Sequence, residues 1–223
     1  MMEGIRVKVC GLTSLVDARL ADEAGADYLG FIQVVKSPRY VSAAQFAAMR
    51  GQLPERPRVV VMVEPTVEEL RAAEALGFAA FQVHFKLEVG GAALAAWSAV
   101  VGPERLWLAP KLPPGVELPD AWLAYAKTWM MDTYHESGYG GSGRSGDWAG
   151  FAARQAARPD RRWLLAGGLN AENVGAALAM SGAKFIDLNS GVETSPGVKD
   201  AGKLAAVTAA IRAARRGRAG GAD

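Results

Sequence analysis

Eight short runs of β-branched or aromatic residues recur along this 223-residue chain, most of them giving way to a longer run of helical period. No other feature of the sequence restricts the fold as severely. Strands are expected at 5–10, 28–32, 58–63, 79–83, 106–109, 128–132, 163–166 and 184–189. Helices are expected at 15–24, 43–50, 67–76, 92–100, 171–180 and 201–214, with a poorer one around Trp122 between the fifth and sixth strands. Strands that alternate with helices require parallel crossover connections. Eight such units without an intervening linker favour a sheet closed on itself over an open one. The expected fold is therefore α/β, a (β/α)8 TIM barrel in a single domain over 1–223, with a frayed tail from about residue 217. Ser42 followed by Gln45, and Thr66 followed by Glu69, carry the spacing of capping boxes and mark two helix starts. The glycine-rich stretch 138–146 has strands on both sides, so it reads as a long loop at the C-terminal mouth of the barrel rather than a linker.

Charge and composition remove several function classes. The formal net charge is only +2, too mild for nucleic acid or an anionic membrane as the main partner. Arg212, Arg215, Arg216 and Arg218 are clustered, but they fall at the end of the last helix, where the helix dipole favours cations. One cysteine, Cys10, excludes an intrachain disulfide. The N-terminus lacks the apolar run of a secretory signal, and no stretch reaches the roughly 18 apolar residues of a membrane span. These features lead us to expect a soluble, cytoplasmic protein; its oligomeric state is not legible.

Parity along the strands selects the residues that face the barrel interior. In the first strand Ile5, Val7 and Val9 suit the helix interface, which turns Lys8 and Cys10 inward, with Cys10 at the mouth. The same reasoning turns Asp132 inward beside Met130, and places Phe185, Asp187 and Asn189 on one face of the last strand. Closure sets the last strand beside the first, so Lys8 is expected to pair with Asp187; a buried lysine without such a partner is costly. A cation near Cys10 favours the thiolate and the Asp187 charge works against it, a balance the sequence leaves open. By position alone Cys10 is either a small buried hydrophobe or a proton-transfer group, and Asp132 is either a loop cap or an acid at the mouth.

Two late segments have the make-up of phosphate loops. Leu165-Ala166-Gly167-Gly168-Leu169-Asn170 ends the seventh strand and runs into a helix, and Asn189-Ser190-Gly191-Val192 ends the eighth. Glycines let backbone amides approach an anion, and helix N-termini add partial positive charge. Together, the amides near Gly167, Gly168, Ser190 and Gly191 form a candidate phosphate grip, since this fold often holds phosphate after its last two strands. Lys36-Ser37-Pro38-Arg39-Tyr40 follows the second strand at the same mouth, where Arg39 is either part of a solvated basic loop or a bidentate fork for a carboxylate. His84 ends the fourth strand and reads as a rim histidine. No metal-ligand or dinucleotide-binding spacing is present.

These segments together resemble the phosphoribosylanthranilate isomerase family. The match runs in order through Val7-Lys8-Val9-Cys10-Gly11-Leu12-Thr13, Gly25-Ala26-Asp27-Tyr28-Leu29-Gly30-Phe31 and Lys36-Ser37-Pro38-Arg39-Tyr40-Val41-Ser42. It continues through Asp132-Thr133, Tyr139-Gly140-Gly141-Ser142-Gly143-Arg144, Asp147-Trp148, Ala166 to Asn170, and Asp187-Leu188-Asn189-Ser190-Gly191-Val192-Glu193. The resemblance implies an Amadori rearrangement of N-(5′-phosphoribosyl)anthranilate in tryptophan biosynthesis. It implies Asp132 as general acid, Cys10 as general base, Arg39 as holder of the anthranilate carboxylate, and the late glycine loops as holders of the phosphate. It implies a small phosphorylated substrate and no cofactor.

Three positions depart from the family pattern. Phe85 stands where glycine is usual, which adds bulk expected to narrow the pocket. Asn189 replaces a usual serine, and Gln33-Val34-Val35 replaces an aromatic-containing stretch. Two rivals are weaker. The related aminoaldose isomerases of histidine biosynthesis resemble this chain but carry aspartate at the position of Cys10. A non-catalytic phosphate-binding barrel would have little use for Cys10, Asp132 and Arg39 together.

Overall fold

The structure, a computed structural model, describes residues 1–113, 115–132 and 147–219. The first half of the chain lays down β1 (Arg6–Val9), α1 (Leu15–Glu23), β2 (Tyr28–Ile32), α2 (Ala43–Met49), β3 (Arg58–Val63), α3 (Val67–Ala75), β4 (Ala80–Lys86) and α4 (Gly90–Val101). The second half adds β5 (Leu106–Lys111), a 3-10 segment (Asp120–Tyr125), β6 (Thr128–Met131), α5 (Trp148–Ala157), β7 (Arg162–Leu165), α6 (Val174–Ser181) and β8 (Phe185–Leu188). A two-stranded hairpin of β9 (Glu193–Ser195) and β10 (Val198–Lys199) precedes α7 (Ala201–Ala219). Strands β1 to β8 pair in sequence order, all parallel, and β8 returns to β1 to close the barrel. The expected eight-stranded architecture is the one observed.

Local chemistry accounts for the boundaries. Ser42 and Thr66 each accept the N3 amide while Gln45 and Glu69 reach back to the cap amide, so both capping boxes form. The segment after β5 differs from its neighbours because Pro113 and Pro119 cannot supply helix amides, and only 3-10 turns follow. The sixth α-helix begins at Val174, three residues later than the sequence pattern suggests. There the Asn170 side chain accepts the amides of Glu172 and Asn173, and this local turn competes with the first helical turn.

Strand alternation divides the apolar residues into two groups. Outward residues such as Val7, Val9, Phe31, Phe81, Phe85 and Ile186 pack beneath the helices. Inward residues Val59, Ala80, Trp107, Leu164 and Phe185, with Tyr28 against them, fill the lower barrel. The rings of Tyr28, Trp107 and Phe185 lie 5.0–5.4 Å apart, two of the three contacts edge-to-face. Above this aromatic layer the interior is mixed, with Gln82, His84 and Asp187 facing it together with Val61, Val63, Met130 and Ala166. Phe85 belongs to the outward set, its ring 6.0 Å from Trp97 and 6.3 Å from Trp122. The expectation that Phe85 narrows the pocket is therefore overturned. Strand β4 continues through Lys86, and alternation turns His84 inward and Phe85 away.

Candidate active site

The inward residues at the C-terminal ends of the strands open into a cavity of about 610 Å³. Its wall includes Cys10 after β1, Arg39 after β2, His84 on β4 and Asp132 after β6. Gly167 and Gly168 after β7 and Ser190 after β8 complete the same wall. Six of the seven residues singled out from sequence thus meet at one hollow. The seventh, Gly191, lies behind it: a methyl group there would fall 2.0 Å from the Leu169 carbonyl, so the last two loops are pressed together at this point. The glycine-rich stretch 138–146 lies outside the described residues.

Lys8 and Asp187 are register neighbours across the β1–β8 seam, and the Lys8 ammonium donates to both carboxylate oxygens at 2.8 and 2.9 Å. The pairing expected from parity is present. Burial works against charge on Lys8, but Asp187 and Cys10 outweigh it and hold the ammonium above its ordinary range. At Cys10 the opposing effects that the sequence leaves open resolve against the thiolate. Burial pushes the thiol up by more than Lys8 pulls it down, and Asp187 adds to the rise, so the resting group is a neutral thiol rather than a thiolate. Room for this pair of side chains depends on Gly30 of β2, where a methyl group would come within 2.9 Å of the Lys8 Cε and 3.1 Å of the Cys10 sulfur.

His84 sits beside Gln82, their side-chain nitrogens 2.8 Å apart. Burial, with the charge of Lys8, lowers its pKa to about 4, so the ring is neutral at physiological pH. Gly167 and Gly168 have φ of +101° and +62°, values that side-chain-bearing residues take only with strain. The Asn173 amide pins this turn by donating to the Gly168 carbonyl at 3.0 Å. Ser190 opens a single 3-10 turn, Ser190–Val192, whose first amides have no acceptor within the turn.

Sequence reasoning found Arg39 but not the residues that hold it. The Glu193 carboxylate takes one edge of the guanidinium, with Nε at 2.9 and 3.1 Å and Nη2 at 2.6 Å. Glu193 also accepts from the Lys199 ammonium at 2.7 Å and from the Gly197 amide at 3.2 Å. Burial would raise Glu193, but bonds from Arg39 and Lys199 more than offset it and keep the carboxyl below its ordinary range. Asn189, where the family usually has serine, places Oδ1 3.1 Å from Lys199. Glu193 and Lys199 are partners across the β9–β10 hairpin, and the Pro196-Gly197 turn between them was the available sequence signal.

Among the described residues no group of three or more His, Cys, Asp or Glu could hold a metal ion, and no helix is long and apolar enough to cross a membrane. A family model described as N-(5′-phosphoribosyl)anthranilate isomerase matches residues 7–210. The N-(5′-phosphoribosyl)anthranilate isomerase of Synechococcus elongatus is 38% identical, aligning 93% of this chain with 96% of that protein. Its counterpart from Magnetococcus marinus is 34% identical over 96% and 98% of the two chains. The crystal structure of the Thermus thermophilus phosphoribosyl anthranilate isomerase superposes with a TM-score of 0.76 at 32% identity, covering 94% of this chain and 99% of that one. A phosphoribosyl anthranilate isomerase in complex with reduced 1-(o-carboxyphenylamino)-1-deoxyribulose 5-phosphate superposes at 0.71, with 29% identity over 94% and 99%. Fold, family model and relatives agree over almost the whole length: this chain belongs to the N-(5′-phosphoribosyl)anthranilate isomerase family.

Proposed function

We propose that the chain converts N-(5′-phosphoribosyl)anthranilate to 1-(2-carboxyphenylamino)-1-deoxyribulose 5-phosphate, with Asp132 as general acid and Cys10 as general base. The observation that carries this reading is that a thiol, a carboxyl group, an arginine and two glycine-bearing loops line one cavity. Asp132 protonates the furanose ring oxygen as the C1′–O bond breaks, and the amine lone pair forms the C=N bond of a Schiff base. Cys10, having passed its thiol proton to solvent, removes the C2′ proton as a thiolate, and those electrons form the C1′=C2′ bond while the C=N pair passes to nitrogen, giving an enolamine that tautomerises to the ketone. Lys8 supplies the positive charge that stabilises the thiolate when it forms. Arg39 takes the anthranilate carboxylate, and the amides about Gly167, Gly168, Ser190 and Gly191 take the phosphate. All of these assignments follow the family pattern onto matching positions, and the common cavity supports six of the seven directly.

Turnover followed by loss of substrate fluorescence tests the roles. Asp132→Asn and Cys10→Ala are each expected to lower kcat by roughly 10²–10⁴-fold with KM little changed, because the transition state alone uses the proton transfers. Near-normal decay in either variant removes that residue from its role.

A further inference from the structure

The Arg39 cluster carries a charge imbalance that its geometry explains. Arg39 and Lys199 are cations, Glu193 is the carboxylate between them, and the three are joined by bonds of 2.6 and 2.7 Å. One positive charge is in excess. Lys199 cannot present that charge to the cavity: its side chain is fully buried, and its ammonium is occupied by Glu193, by Asn189 Oδ1 and by the Asn189 carbonyl at 3.4 Å. Arg39 can, because it lines the cavity and its side chain is 18% exposed. Glu193 takes the Nε and Nη2 edge, so the Nη1–Nη2 end of the fork is the edge left for a second carboxylate. Glu193 alone would orient Arg39 and at the same time cancel its charge. Lys199 removes the cancellation.

We propose that Lys199 is a positioning residue that neutralises Glu193, so that Glu193 can orient Arg39 while Arg39 keeps its full positive charge for the aryl carboxylate of the substrate. The proposal rests on the reading of Arg39 given above. Neither Lys199 nor Glu193 lines the cavity; both act through Arg39. The backbone is built around the cluster. A methyl group at Gly11 would lie 2.6 Å from Arg39 Cδ and 2.5 Å from Asn189 Oδ1, so the loops after β1, β2 and β8 converge here at a spacing that tolerates no side chain.

The test compares two probes, the reduced product analogue with its ortho-carboxyl group and the same compound with a plain phenyl ring. The ratio of their dissociation constants reads the carboxylate preference. Lys199→Met is expected to reduce that preference roughly 10- to 100-fold, the range of a lost charge-assisted contact, while leaving the phenyl probe within about 2-fold. Adding Glu193→Gln to Lys199→Met restores the single excess charge and is expected to restore most of the preference. Equal weakening of both probes, an unchanged preference in Lys199→Met, or no recovery in the double variant overturns the proposal. If Lys199→Met does not fold, Lys199→Gln decides by the same ratio: a fall in the carboxylate preference is expected, and an unchanged preference overturns the inference. Arg39→Ala serves as the separate control. A preference intact in Arg39→Ala defeats the reading of Arg39 itself, while a preference lost there but kept in Lys199→Met defeats only the role of Lys199.

Discussion

The lower and upper halves of the barrel interior are built from the same eight strands by the same alternation, yet they have opposite characters. Near the strand starts, the inward side chains are Tyr28, Val59, Ala80, Trp107 and Phe185, an apolar plug. Two or four residues further along, β1, β4, β6 and β8 turn polar side chains inward (Lys8 and Cys10, Gln82 and His84, Asp132, Asp187 and Asn189), while β3 and β7 still present Val61, Val63 and Ala166. Lower positions gain free energy by leaving water. Upper ones lose it and recover it only through partners such as the Lys8–Asp187 pair. The contrast teaches that position along an inward row and strand identity together decide whether a residue serves stability or chemistry, since Val61 and Val63 stay apolar level with Gln82 and His84.

Three experiments can break or sharpen this division. The largest effect is expected from replacing Lys8 by Met together with Asp187 by Leu. Apolar replacement of a whole buried ion pair is often neutral or stabilising, so unfolding free energy should change by less than about 2 kcal/mol or rise, while turnover falls at least ~100-fold. Normal turnover in that variant would show that the upper layer is not reserved for chemistry. Next, Phe185→Ala should cost about 3–5 kcal/mol in denaturant unfolding and leave kcat within a factor of about 3 under folding conditions. A large loss of kcat in the folded variant would couple the two layers.

The smallest effect concerns His84, whose pKa falls from the usual 6.5 to about 4 in the fold. Because the folded value lies below the unfolded one, the unfolded chain binds the extra proton first. The stability tied to neutral His84 is present above pH 6.5 and is lost as pH falls toward 4. The difference in stability between wild type and His84→Asn should shrink across that window by at most about 3 kcal/mol, an upper bound because the ring reaches water at the cavity wall. A pH-independent difference would place His84 outside the desolvated layer.

Much of this was legible in the sequence because both signals are short in range. Alternation along β1 and β8 was enough to turn Lys8 and Asp187 inward and to pair them once the sheet was closed. At Phe85 that alternation goes unused, because a strand ended at Val83 stops short of it and its bulk is weighed instead of its parity. The proton on Cys10 was not legible because sequence shows the neighbouring charges but not the depth of burial that outweighs Lys8. Glu193 and Lys199 went without roles because six residues separate them and only antiparallel pairing of a hairpin outside the barrel repeat brings them together. Arg39 was correctly placed at the mouth, but which edge of its fork is available depended on that hairpin.

The Lys8–Asp187 contact joins residues 179 apart, one from the first strand and one from the last. The walls from β2 to β7 assemble between neighbouring strands, whereas this seam, like the Arg39–Glu193 bond across 154 residues, exists only after the final strand has been made and has docked. A nascent or C-terminally truncated chain therefore holds Cys10 without the environment that governs its proton. Recovery of turnover during refolding should lag behind recovery of helix signal and coincide with the closing of the ring.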